Sequence, residues 1–457
     1  MPSRGENNSL RKGYLFPGDV IVQDVLLITQ LGEIIDIKPI TSEVNIYESL
    51  SEHYLQCDVA VMDAVGLIDS MEGNDREGLL GGFNGGEVLA IRYTLPTEDA
   101  IESVHLFGVY ELTNRLRVSE KQEAYTISAI SFEAYQSSTR KISRSYGPNV
   151  ISEMVRSIVD ENIYNRIVKD LYRNYREVTQ ARVEKTNTYD PTSGLQKLII
   201  PNMTVDDTIN FLASEADNDN HVPLFVFYEN ARGFNFRDIN NLVLQEPIRS
   251  FTYLPSNVGA NESPTEVKFK DFSKIMAYEV INQTNLIENA KAGLFRSRVI
   301  NLDILKKNKR EVVFEYDKEV SKFNKLQPYR IAGSSEGNPQ IWMMNSRTGH
   351  DQDALFDPER PLPKRLNQFV ARRRSYRKHL YNNSMAVTVP GDNSMCVGDI
   401  IYLSIPVATD MEERNGKEDK YLSGKYLITR LRHKFTLGKK QEFYSIIECV
   451  KDTGIEI

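Results

Sequence analysis

Cysteine is scarce in this chain of 457 residues: Cys57, Cys396 and Cys449 are its three, widely spaced and odd in number. They form no CxxC pair and no metal-ligand spacing, which argues against a disulfide framework or a zinc site and predicts plain buried thiols. Histidine is equally sparse. His53, His105, His221, His350, His379 and His433 show no HxxxH pattern, and no Gly-x-Ser-x-Gly elbow occurs, so no catalytic, cofactor or metal residues are assigned. Cations are not in excess. Lys and Arg number 56 against 63 Asp and Glu, a net charge of −7, which weighs against a dedicated nucleic-acid binder. No apolar run reaches the ~18 residues of a membrane span. The first residues, Met1 to Arg11, lack the apolar core of a signal peptide, so folding in a cytoplasm and no membrane anchor are expected.

What is present is mainly β. Val20–Val22 with Val25–Ile28 reads as a strand pair or one continuous strand. Further strands are predicted at Ile34–Ile37, Val44–Tyr47, Cys57–Met62, Glu87–Tyr93, Val104–Leu112 and Ala124–Phe132. The glycine-rich stretch from Gly78 to Gly86 invites a phosphate-binding reading. No Gly-Lys-Ser/Thr follows it, and a strand rather than a helix comes next, so a loop or tight corner is expected.

The middle changes character. Ile151, Met154, Val155, Ile158, Ile163, Ile167 and Leu171 recur at helical spacing between Asn149 and Val178. Leu198–Ile200 reads as a strand ending at Pro201. Thr204, followed by Asp206 and Asp207, reads as a helix start, with the helix running to Glu215. Leu224–Tyr228 and Phe234–Arg237, around Asn230-Ala231-Arg232-Gly233, predict a hairpin. The charge run Lys306–Arg310 reads as solvated surface and Trp342 as packing. Asp357-Pro358 and Pro361-Leu362-Pro363 mark a loop. The segment after it carries Lys364, Arg365, Arg372, Arg373, Arg374, Arg377 and Lys378, with Leu366, Phe369, Val370 and Leu380 at helical spacing. Such a helix could touch nucleic acid or an acidic face; a solvated basic face is the plainer expectation.

An internal repeat carries the most information. Gly86-Glu87-Val88-Leu89-Ala90-Ile91, then the run from Gly108 to Arg117, then Glu123-Ala124-Tyr125-Thr126-Ile127 find counterparts in the same order near the end of the chain. These are Gly398-Asp399-Ile400-Ile401-Tyr402-Leu403, the run from Gly424 to Arg432, and Glu442-Phe443-Tyr444-Ser445-Ile446. Gly-x-Tyr and Arg-Leu-Arg are shared, with one residue skipped. Each copy reads as a three-stranded meander. In the second, Leu427, Leu431 and Phe435 share a face with Thr429 and His433, the latter expected to be a satisfied core histidine. Tyr426, Ile428, Arg430, Arg432 and Lys434 share the other.

The runs Val387–Asp392, Val397–Ile401, Ser423–Ile428 and Arg432–Phe435 resemble the C-terminal barrel of phage baseplate hub proteins. Ile200-Pro201-Asn202-Met203-Thr204, with its helix and hairpin, resembles their middle domain. The family, which includes late control D and type VI spike-protein hub regions, implies an α+β, β-rich fold with two related small β-barrels flanking a mixed α+β middle region. The expected division is an N-terminal barrel over 1–136, an α+β domain over 137–260, a mixed helical insertion over 261–384 and a C-terminal barrel over 385–457. The resemblance implies a structural hub. Three copies form a ring of six barrels, adapting a sixfold tail tube or tube-initiator protein to a threefold central spike among the wedge proteins of the baseplate. DNA is then only in transit, and the protein resides in the virion tail after assembly in the host cytoplasm. Arg115, Arg117, Arg430, Arg432 and Lys434 are the candidate tube or subunit contacts. A receptor- or glycan-binding tail protein and a cell-wall-degrading tail enzyme are the alternatives.

Overall fold

The structure, a computed structural model, describes residues 18–29, 34–64, 86–95, 102–120, 122–165, 168–171, 173, 185–220, 222–253, 272–303, 307–333, 335–337, 339–345, 366–407, 418–438 and 441–454. The glycine-rich stretch before Gly86 and the Pro361–Pro363 loop lie outside these residues. Alternation of apolar and polar residues builds the N-terminal strands: β1 (Ile21–Ile28), β2 (Ile34–Asp36), β3 (Thr41–Ser49), β4 (Gln56–Asp63), β5 (Val88–Thr94), β6 (Glu102–Ser119) and β7 (Gln122–Ser131). In β4, Cys57, Val59 and Val61 point into the core, while Asp58, Ala60 and Met62 point away. β1 is one strand, kinked by a register shift between Val22 and Asp24.

The middle region holds the helices α1 (Phe132–Ser137) and α2 (Ile151–Ile158). The latter runs on as a π-helical turn over Val159–Ile163. Strands β8 (Lys141–Asn149), β9 (Thr188–Tyr189) and β10 (Gln196–Thr204) follow, then α3 (Val205–Glu215), β11 (Phe225–Asn230), β12 (Gly233–Asp238) and α4 (Ile239–Val243). Thr204 caps α3 as expected, its Oγ1 accepting from the Asp207 amide at 3.2 Å. The strand expected to stop at Pro201 does not. β10 runs through it, because among the described residues β10 pairs only with β8, and a register shift between Ile200 and Met203 removes the need for a proline N–H.

Beyond the middle region come β13 (Arg249–Thr252) and β14 (Ala277–Gln283). Next is a module of α5 (Leu286–Lys291), β15 (Arg296–Asp303), β16 (Asn308–Glu315), α6 (Tyr316–Glu319), β17 (Gln340–Asn345) and α7 (Leu366–Leu380). The chain closes with β18 (Asn383–Pro390), β19 (Ile400–Ser404), β20 (Gly424–Thr436) and β21 (Glu442–Lys451). The module enters and leaves between β14 and β18, where the Thr284 amide donates to Asn382 O at 3.1 Å. The cations of α7 divide: Arg374 and Arg377 are exposed, as expected of a solvated face, whereas Arg372 and Arg373 are taken up by other segments. Arg372 pairs with Glu319, Arg373 donates to Pro223 O and Ser214 O, and the Arg374 guanidinium lies 3.5 Å from the Trp342 ring centroid. Trp342 packs on the core, as expected.

Thirteen strands form one sheet, ordered β14-β18-β21-β20-β3-β4-β7-β6-β5-β1-β2, with β13 and β19 branching from β20. The repeat is visible in it. β5-β6-β7-β4-β3 and β19-β20-β21-β18-β14 are laid out alike, so strands preceding residue 385 complete the second copy. Gly86 and Gly398 head the two copies, both with positive φ, and their amides donate to the equivalent carbonyls of Val109 and Ile428. Val88 faces Gly108 as Ile400 faces Leu427. Each long strand then bulges at the same place, at Tyr110 in β6 and at Thr429 in β20. This register corrects the sequence alignment. Arg430 stands where Glu111 stands, so the two Arg-Leu-Arg runs are not equivalent. A second irregularity between Thr113 and Leu116 lengthens β6.

The copies share their interior. Phe435 and Phe443, from the far end of the β20–β21 hairpin, lie in the core of the N-terminal copy. Phe435 packs 4.6 Å from Tyr93 and stacks 4.5 Å from Phe443. There the sheet curls round: Asp19 bridges Glu442, and the Phe443 amide donates to Gly18 O at 2.8 Å. All three cysteines are buried and free, as the sequence predicts.

Candidate assembly interface

The candidate residues fall into two groups. Arg430, Arg432 and Lys434 alternate outward along β20, opposite buried Leu431, His433 and Phe435. Tyr426 and Ile428, expected on the cationic face, are instead buried, because the Thr429 bulge shifts the alternation. His433 is the satisfied core histidine expected, its Nδ1 3.1 Å from Ser445 Oγ, and burial holds its pKa down at about 4. Arg115 and Arg117 sit apart, near the β6–β7 turn. Arg115 pairs with Glu123 at 2.8 Å, and Arg117 donates to the Ser119 and Glu120 carbonyls.

The β20 cations lie on the seam between the copies. Arg430 to Thr436 pair antiparallel with Ser49 to Glu43 of β3. Arg432 donates to Asn45 Oδ1 at 2.8 Å and to Glu43 Oε1 at 3.2 Å, and Lys434 Nζ lies 2.8 Å from Glu43 Oε2. Burial raises the Glu43 pKa, but the Lys434 and Asn45 hydrogen bonds and the two cations outweigh it, so the carboxyl titrates below its ordinary value. Arg430 faces Glu448 at 3.5 Å on the exposed side.

One node of the seam had no signal in the sequence. Glu48, buried on β3, accepts from the Ala231 amide at 2.8 Å and the Val397 amide at 2.9 Å. It thereby ties the β11–β12 turn and the β19 approach to the N-terminal copy. Arg232 of that turn forms a bidentate pair with Asp399 at 2.8 and 2.7 Å.

Burial pushes the Glu48 pKa up to about 7, against the pull of the two amides. A carboxyl with a raised folded-state pKa stabilises fully below its unfolded value near 4.5, and that contribution is lost as pH rises through about 7. Glu48→Gln cannot titrate. The stability of the wild type relative to this variant is therefore expected to fall by about 2 kcal/mol between pH 5 and pH 8 in paired urea titrations. A pH-independent difference refutes this assignment.

Among the described residues no group of three or more His, Cys, Asp or Glu could hold a metal ion, and no helix is long and apolar enough to cross a membrane. No family model and no curated protein matches the sequence. Solved structures do match. The chain is similar to the 43 kDa tail protein of prophage MuSo2 from Shewanella oneidensis, with TM-score 0.50 and 10% identity over 94% of this chain and 100% of that one. It is also similar to a tail protein from Neisseria meningitidis MC58, with TM-score 0.49 and 9% identity over 95% and 97% of the two chains. A third match is an E. coli component of the type VI secretion system, with TM-score 0.36 and 11% identity over 95% and 78%. The fold is thus β-rich and of the tail-hub type.

Proposed function

We propose that this chain is a structural hub of a phage tail baseplate. Three copies form a ring of six repeats that seats a sixfold tail tube on one side and a threefold spike on the other, with wedge proteins around it and DNA passing through. The observation that carries this reading is the pair of topologically equivalent repeats held in one sheet by the β3–β20 seam. Two such units per chain turn a threefold object into a sixfold surface. The fold shared with a prophage tail protein supports the same reading. The exposed cation Arg430 and the turn-end pair Arg115 and Arg117 are the proposed partner contacts. Arg432 and Lys434 act through the seam, since both hold Glu43.

Native mass by light scattering over a concentration series, with class averages of the same sample, tests the ring. Three chains per particle and six lobes around a central opening are expected. A strict monomer that binds glycan or peptidoglycan refutes the hub.

A further inference from the structure

We propose that two sheet edges of this chain pair across copies: the outer part of β6 in one copy takes β14 of the next as its neighbour. The register is the antiparallel one that β20 and β3 use within the chain. The proposal rests on the ring reading and names the contact that builds it.

Each long strand has β7 or β21 on one flank. On the other flank, β20 changes partner halfway, pairing with β19 over Gly424–Leu427 and with β3 over Arg430–Thr436. β6 pairs with β5 over Glu102–Gly108. Past Val109, where β20 meets β3, β6 has no strand on that flank among the described residues. The counterpart of β3 in the second copy is β14. Each lies antiparallel beside the equivalent strand, β4 or β18. β14 ends the sheet, with β18 as its one neighbour among the described residues. The seam made once inside the chain therefore has its two halves left over, one at each end.

Side-chain burial follows the same logic. Ile46 of β3 is 1% exposed, and its equivalent on β14, Val280, is 38% exposed. Thr429, at the bulge where the internal seam begins, is 8% exposed; its equivalent, Tyr110, is 53% exposed. Leu116 and Val118 on β6 and Ile281 on β14 are exposed as well. Positions covered where the seam is made are uncovered where it is not. An open edge carrying apolar side chains is a ready template for an added strand.

The ladders supply the register. Lys434 faces Asn45 across the seam. Counting along β21 and β7, the position of Lys434, opposite Tyr444, is that of Leu116, opposite Ala124. Counting along β18 and β4, the position of Asn45, opposite Asp58, is that of Glu279, opposite Ala386. Leu116 of one copy therefore faces Glu279 of the next. The contact is head-to-tail, so it propagates until the rotation closes a ring.

Cysteine cross-linking of the full chain tests this. Leu116 and Glu279 are both exposed, and the native cysteines are buried, so neither folding nor background oxidation obscures the result. Mixing Leu116→Cys with Glu279→Cys and oxidising is expected to give a covalent dimer. The double variant is expected to give a covalent trimer. The mismatched pair Leu116→Cys with Gln283→Cys is expected to cross-link at least tenfold less. Self-association by light scattering without the matched cross-link overturns the strand junction and leaves the ring standing. A monomer at every concentration overturns both.

Discussion

Replacing Tyr426 with alanine is expected to lower the unfolding free energy by about 3–5 kcal/mol, the usual loss for a fully buried aromatic cut to its Cβ. Tyr426 is buried in the core of the second copy, at the point where β20 leaves β19. Its hydroxyl donates to Leu422 O at 2.8 Å, and its ring lies 4.9 Å from Lys451 Nζ. Lys451 is itself buried and donates to Ser423 O at 2.7 Å. The truncation therefore opens a cavity beside a buried ammonium and removes the aromatic face that helps to hold it. Tyr426→Phe loses only the hydroxyl bond, about 1 kcal/mol. Urea titration followed by the fluorescence of the single tryptophan reads both, since Trp342 packs against the same core. An alanine variant with the wild-type midpoint shows that the ring contributes no packing.

The second large effect concerns the docking of the middle region on the N-terminal copy. Lys185 Nζ lies 2.5 Å from Glu133 Oε1 and 2.5 Å from Glu229 Oε1, with both carboxylates fully buried. Glu133 opens α1, just after β7, and Glu229 lies on β11, so the ammonium sits between two layers. Lys185→Met leaves two buried acids facing each other and is expected to cost about 3–5 kcal/mol at neutral pH. Burial, with Glu133 adding to it, already raises the Glu229 pKa despite Lys185. Without the lysine the Glu229 carboxyl takes up a proton more readily, so the loss is expected to shrink as pH falls. Adding Glu133→Gln and Glu229→Gln to the variant is expected to recover part of the stability. A deficit that grows at acid pH shows that the carboxylates are solvated rather than buried.

Local chemistry was legible in the sequence wherever a residue acts on near neighbours. Thr204 announces α3 because a cap bonds within one turn, and Asn230–Gly233 announces a hairpin because a tight turn needs those residues. Cys57, Cys449 and His433 lie in apolar strands and Cys396 in the short loop before β19, and their burial follows. The repeat was legible in its strand heads, where Gly86 and Gly398 hold the same positive-φ corner. Long-range pairing was not. β14 alternates weakly and is largely exposed, so it leaves no amphipathic trace. The seam joins strands at opposite ends of the chain, and neither β3 nor β20 carries a mark of the other. The shared Arg-Leu-Arg misled because charged residues near strand ends recur by composition, whereas the bulges that set register have no sequence signature. The contacts of Arg372 and Arg373 leave no trace in the sequence because their acceptors, Glu319, Pro223 O and Ser214 O, come from distant segments.

The seam also sets an order of events. Glu43 and Arg432, which it joins, are separated by 389 residues. At ~5–20 residues per second of synthesis, β3 leaves the ribosome roughly 20–80 s before its partner exists. Phe435 and Phe443 arrive later still, so the N-terminal copy spends its first minute as a bare edge with an unfilled interior. Neighbouring ribosomes on one messenger hold the same edge at the same stage, and each newly finished C-terminal hairpin can reach its own first strand or that of a chain beside it. For this architecture, the hazard of swapped partners is greatest during translation and ends only when the last hairpin closes.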